Sequence, residues 1–185
     1  MTTIVAGGDV VTMNPTRDVL AGGAVVIDGS TIAAVGSTAQ LRAAYPDADV
    51  VDASGCVVTP GMIDAHQHLT GDGLMRCCIP DLLDSQSAIF QWSVPLHSNH
   101  DGDDDEISAT LSAVEALTNG VTTVVEAGTV AHPERVVDGM RRAGIRGTIG
   151  TWGWDVPDVP WGGTVDEVLD RQRAVVEKFP RRVDG

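Results

Sequence analysis

An α/β fold is predicted: a β-rich leading segment followed by a series of parallel strand–helix units. Three observations predict it. A short apolar run ending in two histidines at 62–68, a β-branched run at 121–125 and a strand-like run at 145–151 alternate with stretches that read as helices, the pattern of a parallel sheet. The residues up to about 58 hold short β-branched runs joined by glycine-rich turn signals. The first of the parallel runs is entered through the turn Pro60-Gly61 and ends in His66-Gln67-His68, which puts two imidazoles at a strand's carboxyl end. In parallel α/β folds that is where ligands bind.

Taken in order, 4–6 and 10–13 read as two strands broken by Gly7-Gly8. Residues 24–27, the turn Asp28-Gly29 and residues 31–35 form a hairpin pattern. A short helix is expected over 38–45, stopped by Pro46-Asp47, after which 50–52 and 56–58 resume the sheet. From Leu69 to about Asp101 the chain is irregular, with helical turns expected between Ile79 and Trp92. A loop that long after a strand is more often functional than idle. It carries Trp92, His97 and His100. Trp92 is either a hydrophobic anchor for the loop or a substrate contact. His97 and His100 stand beside the acidic run of Asp101, Asp103, Asp104, Asp105 and Glu106, which reads as the solvated start of a helix, acids complementing the positive end of the dipole.

That helix carries Ile107, Leu111, Val114 and Leu117 as one inward stripe and stops at Asn119-Gly120. The run 121–125 reads as a buried parallel strand ending at Glu126, a carboxylate that either fixes the neighbouring loop or enters a pocket. Residues 133–143 follow as an amphipathic helix with Val136, Val137 and Met140 inward. The third strand, 145–151, ends at Trp152-Gly153-Trp154, and a proline-rich loop leads to Trp161. Thr164 and Glu167 have the spacing of a capping box for a last helix reaching about Phe179.

Side chains two apart on a strand share a face, so His66 and His68 point the same way, their α-carbons about 7 Å apart. Both rings can then converge on one ion. Imidazole suits zinc, iron, copper or nickel and suits calcium or magnesium poorly. A surface pair is the alternative, because a bare His-x-His is common. Asp64, two residues before His66 on the same face, either orients a histidine or hydrogen-bonds loop backbone.

The stretch 58–68, Val-Thr-Pro-Gly-Met-Ile-Asp-Ala-His-Gln-His, resembles the first barrel strand of the amidohydrolase superfamily of metal-dependent hydrolases. Residues 29–36 and 117–124 extend the resemblance over nearly the whole chain. Within the superfamily it is most similar to the branch of cytosine, guanine and S-adenosylhomocysteine deaminases and triazine hydrolases. The resemblance implies a small β-sandwich, in part, over 1–58 and a TIM-like (β/α)8 barrel from 59. A whole barrel takes about 250 residues, so 59–185 would hold about its first three β/α units. It implies His66 and His68 as ligands of a divalent metal, zinc first and iron second. The reaction would be hydrolysis of a C–N or C–Cl bond, most simply deamination of a nitrogen heterocycle. The family's further ligands and acid/base group belong to later strands, beyond residue 185. Trp92, His97, Glu126 and Trp152 are the candidate pocket residues, and tryptophan-bearing loops suit a flat heterocycle.

Two alternatives stay open. The chain could be a non-catalytic short product, or a partner that completes another chain's barrel. Within the superfamily it could belong to the cyclic-amide hydrolases, whose modified bridging lysine sits on the fourth strand; the single lysine here, Lys178, lies in a helix segment. The ending at 179–185 falls where a fourth strand is expected to begin, and truncation of a longer protein is the expectation.

A net charge of −14, from 26 acidic and 12 basic residues, argues against a nucleic-acid backbone as partner. The three cysteines, Cys56, Cys77 and Cys78, form no even framework and fit a reducing compartment. The first residues lack the pattern of a signal peptide, and no apolar run approaches the ~20 residues that span a bilayer. A cytoplasmic protein without a membrane partner is expected, with a small-molecule substrate and a possible homo-oligomer at full length.

Overall fold

The computed structural model describes residues 1–180, apart from the side chains of Asp72 and Leu74. The expected start of a fourth strand, at 181–185, lies outside the described residues. The chain divides into two compact units, Met1–Pro60 and a second that begins at Gly61.

The first unit is one mixed sheet with a helix on one face. Strand β1 (Thr2–Val11) lies between β2 (Val19–Asp28) and β4 (Asp49–Asp52), with β3 (Thr31–Ser37) outside β2, and β5 (Val57–Val58) continues beside β1. β2 and β3 form the expected hairpin through Gly29, whose φ of +60° only glycine adopts freely. The expected break at Gly7-Gly8 is absent. β1 runs through it as one strand, and the pairing with β2 shifts register on either side of Gly8. The glycines make a bulge, not an end. A Cβ at Gly8 would stand 2.8 Å from Val58 and 3.0 Å from the Ala53 carbonyl, so the return of the chain to β5 needs glycine there. Helix α1 (Thr38–Ala44) brings Leu41, and Tyr45 just beyond it, against Ile4, Ala6, Ala24 and Val26. On the other face Val35, Val25, Val5 and Val51 stand in one cross-strand row, with Val35 43% and Val51 51% exposed.

The second unit is a three-stranded parallel sheet, β6 (Met62–Gln67), β7 (Val121–Glu126) and β8 (Arg146–Thr148), in that spatial order. Between β6 and β7 come the short turns α2 (Asp72–Met75) and α3 (Ser85–Ser87), a π-helical stretch (Ala88–Ser93), α4 (Val94–Ser98) and the long α5 (Gly102–Thr118). Helix α6 (Pro133–Ala143) joins β7 to β8, and α7 (Val165–Lys178) follows the proline-rich loop. The capping box of Thr164 and Glu167 forms as its spacing predicts. Leu69, Ala109, Ala113, Val124, Val130, Val136, Met140 and Ile145 make the core between sheet and helices.

Three expectations change. The third strand, expected over 145–151, is confined to Arg146–Thr148. The strand at 121–125 is buried only at Val124, while Val125 is 37% exposed, because the described helices cover one face of the sheet. Helix α5 turns a different side inward. Ile107, Leu111 and Val114 are 56%, 46% and 45% exposed, and Asp105, Glu106, Ser108, Ala109, Ser112 and Ala113 are buried instead. The cause is a close helix crossing. A Cβ at Gly139 of α6 would lie 2.7 Å from the Glu106 carbonyl and 3.1 Å from Ala109 Cβ, so only small residues fit on the facing side of α5. The acidic run is therefore not all solvated. Asp101, Asp103 and Asp104 make the cap and first turn, but Asp105 and Glu106 go inside with partners.

Candidate functional site

The carboxyl ends of β6 and β7 are level, Gln67 opposite Glu126, and are tied together beyond the pairing. Ala127 N–H donates to the Gln67 carbonyl at 2.9 Å, and the Thr70 hydroxyl donates to the Thr129 carbonyl at 2.9 Å. Ser108 and Ser112 of α5 donate to the Leu69 carbonyl at 3.3 and 3.1 Å, which secures the first residues of the loop behind the histidines.

On this rim the two imidazoles meet. His66 Nε2 and His68 Nε2 are 3.2 Å apart, with the rings edge to face at 85°. Two imidazole nitrogens sharing one tetrahedral ion at ~2.0–2.1 Å would lie about 3.3 Å apart, so the pair fits one such ion. His68 has its other nitrogen engaged: Nδ1 lies 3.1 Å from Thr129 Oγ1. The Thr129 hydroxyl donates to Glu126 Oε1 at 3.0 Å, so it accepts from His68 Nδ1–H. That leaves the His68 Nε2 lone pair facing His66, the tautomer a metal ligand needs. Among the described residues no group of three or more His, Cys, Asp or Glu side chains is arranged around one ion.

Glu126 is buried, and its oxygens serve its own loop, accepting from Gly128 N–H at 2.6 Å as well as from Thr129. Burial pushes its carboxyl above the usual range, against the lowering effect of those hydrogen bonds. Asp64 accepts from the His66 backbone N–H at 3.1 Å, so it holds strand backbone and not an imidazole. Trp92 sits in the π-helical stretch, 37% exposed.

His97 and Trp152, both buried, are brought together, ring centres 5.3 Å apart, in an aromatic group with the half-buried Trp154 and Trp161. His97 also borders Gly71, where a Cβ would stand 3.1 Å from its Nε2. Burial, and then the neighbouring His100, push its pKa down from 6.5 to about 4. It is neutral near pH 7. Next to it Asp105, 1% exposed, accepts from His100 Nδ1 at 3.3 Å, His132 Nδ1 at 2.9 Å and His132 N–H at 3.1 Å. Glu106 pairs with Arg135 and Arg142.

Sequence reasoning missed Thr129, which a lone threonine three residues past a strand end does not advertise. It also missed the pairing of Asp105 with His132, whose partners lie 27 residues apart.

Comparison with known proteins places these features in context. The amidohydrolase family model matches residues 57–184, and that of an imidazolonepropionase-like composite domain of bacteria matches 23–48. A 5-methylthioadenosine/S-adenosylhomocysteine deaminase of Syntrophobacter fumaroxidans is 29% identical over 180 residues, covering 95% of this chain and 39% of its own length. One from Shouchella clausii is 33% identical over 150 residues, covering 80% of this chain and 34% of its own length. Among solved structures, a triazine hydrolase variant superposes with a TM-score of 0.81 at 21% identity, covering 97% of this chain and 43% of that one. A zinc-bound adenosine deaminase from Xanthomonas campestris gives 0.74 at 22%, covering 98% and 40%. At these identities the structures speak for the fold. The chain spans about two-fifths of the length of these relatives.

Proposed function

Since this chain belongs to the amidohydrolase family, we propose that it supplies the first metal ligands of a hydrolase acting on a C–N or C–Cl bond of a nitrogen heterocycle, deamination being the simplest such reaction. The observation that carries this reading is the 3.2 Å approach of His66 Nε2 and His68 Nε2, with His68 Nδ1 held by Thr129. In this reading residues 59–185 are about the first three units of a (β/α)8 barrel and 1–58 part of a β-sandwich. The half-covered parallel sheet supports the first and the open valine row the second.

His66 and His68 would hold a divalent ion, zinc before iron, since imidazole nitrogens suit both. When bound, the ion supplies Lewis acidity that makes water a nucleophile near neutral pH. The chain's own residues prepare for it. Thr129 keeps the proton of His68 on Nδ1, so Nε2 offers a lone pair. Glu126 fixes the Thr129 hydroxyl as donor toward itself and holds the loop through Gly128. Asp64 holds the backbone at His66. His97 and Trp152 form an uncharged aromatic wall behind the rim. The substrate would be a small heterocyclic molecule. No helix among the described residues is long and apolar enough to cross a membrane. A cytoplasmic location is part of the same proposal. Residues 1–185 alone are proposed to lack turnover, because the acid/base group is expected elsewhere.

The test is to strip the chain of metal, titrate in zinc and measure stoichiometry by calorimetry. Wild type should bind one equivalent weakly, and His66→Ala or His68→Ala should lose it. Zinc bound one to one in both variants would reject the assignment.

A further inference from the structure

Two buried donors stand without a partner among the described residues, Trp152 Nε1–H and Arg171 Nε–H, and both border the loop 153–163. Trp152 is 6% exposed. Its indole is stacked on that of Trp161, ring centres 4.6 Å apart and planes 6° from parallel, while Trp154 and His97 meet it edge-on. Trp161 reaches this position with φ at +60°, and Asp158 earlier in the same loop has +62°, the left-handed region that side chains other than glycine rarely adopt. Arg171 of α7 ties the loop down by donating to the carbonyls of Trp161 and Gly162 at 2.5 and 3.5 Å.

Buried donors in a finished core find acceptors, and left-handed residues persist where the surroundings hold them. Here both exceptions fall on one loop. An indole stacked on an indole is also the contact that another flat ring replaces nearly one for one. We propose that Trp161 is a placeholder. A planar nitrogen heterocycle takes its position on the Trp152 face, and Trp152 Nε1–H then donates to an oxygen on a substituent outside the ligand's ring plane. The second clause follows from geometry. An indole N–H lies in the plane of its own ring, so a flat ligand stacked above that plane cannot accept from it. Only a ligand with an acceptor standing off its ring meets both features. The inference rests on the heterocycle reading above and names the ligand class more narrowly: a ring bearing an oxygenated, non-planar substituent. The position suits it, since the stack adjoins His97, which borders the Gly71 segment three residues beyond His68.

Adenosine and adenine serve as probes, one with an oxygenated substituent and one without. Binding to the 185-residue chain is measured by calorimetry, with the circular-dichroism couplet of the stacked indoles as second readout. Adenosine should abolish the couplet. Trp161→Ala should bind both probes more tightly, and Trp161→Phe should fall between it and wild type. Trp152→Phe keeps a stacking face without the donor. It should bind adenosine roughly threefold to tenfold more weakly, the worth of one net hydrogen bond, and bind adenine as wild type does. Weaker binding in Trp161→Ala would make Trp161 a wall of the site and overturn the proposal, as would adenosine binding with the couplet intact. Equal loss of both probes in Trp152→Phe would remove the donor role. Zinc stoichiometry in the same variants separates the two readings. Zinc retained with no heterocycle response sinks the placeholder alone, and one-to-one zinc in both His66→Ala and His68→Ala sinks the metal assignment alone.

Discussion

The second unit holds two histidine–carboxylate groups built from the same residue types and finished in opposite ways. Around Asp105 a buried carboxylate accepts from two imidazoles and a backbone N–H, and the adjacent Glu106 has two arginines. On the strand-end rim, Glu126 and Thr129 satisfy only one nitrogen of His68, and the remaining Nε2 faces that of His66 from a half-exposed position. The first group spends its hydrogen bonds on holding the long loop, α5 and the start of α6 together. The second spends part of them on keeping a lone pair free. Histidines beside acids are therefore not one signal. What separates scaffold from chemistry is whether the outward nitrogen is left with work to do.

The strongest way to break that contrast is Asp105→Ala, which strands three buried or half-buried donors. It should cost about 3–5 kcal/mol of stability in a urea titration, against about 0.5 kcal/mol for His66→Ala in metal-free protein. Equal costs would mean that the rim is scaffold too. Next in size, Thr129→Val removes the acceptor of His68 Nδ1–H without changing shape. It should weaken zinc about 10–100-fold by calorimetry while leaving melting of the metal-free chain nearly unchanged. Unaltered zinc affinity would show that the Glu126–Thr129–His68 chain does not prepare a ligand.

A pH series sharpens the comparison through His97, which sits between the two groups. Its pKa is lowered in the folded state, from 6.5 to about 4, so between those values the unfolded chain takes up a proton that the folded one refuses. Stability should therefore fall as pH drops from about 6.5 to about 4 and stop responding to this group below that. Replacing His97 with Phe should flatten that part of the curve, and an unchanged slope would assign it to other groups. The smallest effect is expected at Arg142, whose partner Glu106 keeps Arg135. Arg142→Ala should cost under about 1 kcal/mol, read by the same urea titration. A larger loss would show that the closed group depends on its exposed member.

Local chemistry determined much of this protein from sequence alone. Turn glycines, β-branched runs and capping spacings act over a few residues, so the β2–β3 hairpin, the parallel β6–β7–β8 series, the caps of α5 and α7 and the shared direction of His66 and His68 were all readable. Periodicity failed where two elements compete for one face. Ile107, Leu111 and Val114 form the more apolar stripe of α5, yet Gly139 of α6 admits only small residues at the crossing, and the helix turns accordingly. The fates of Asp105 and Glu106, inside, and of Asp101, Asp103 and Asp104, at the surface or the cap, were decided by that same rotation. Thr129, and the stacking of Trp161 on Trp152, entered only through tertiary structure, because a hydroxyl 61 residues from its histidine and an indole stacked across a loop leave no periodic trace. Sequence sets which groups can bond; only the packed chain decides which of them are left free to act.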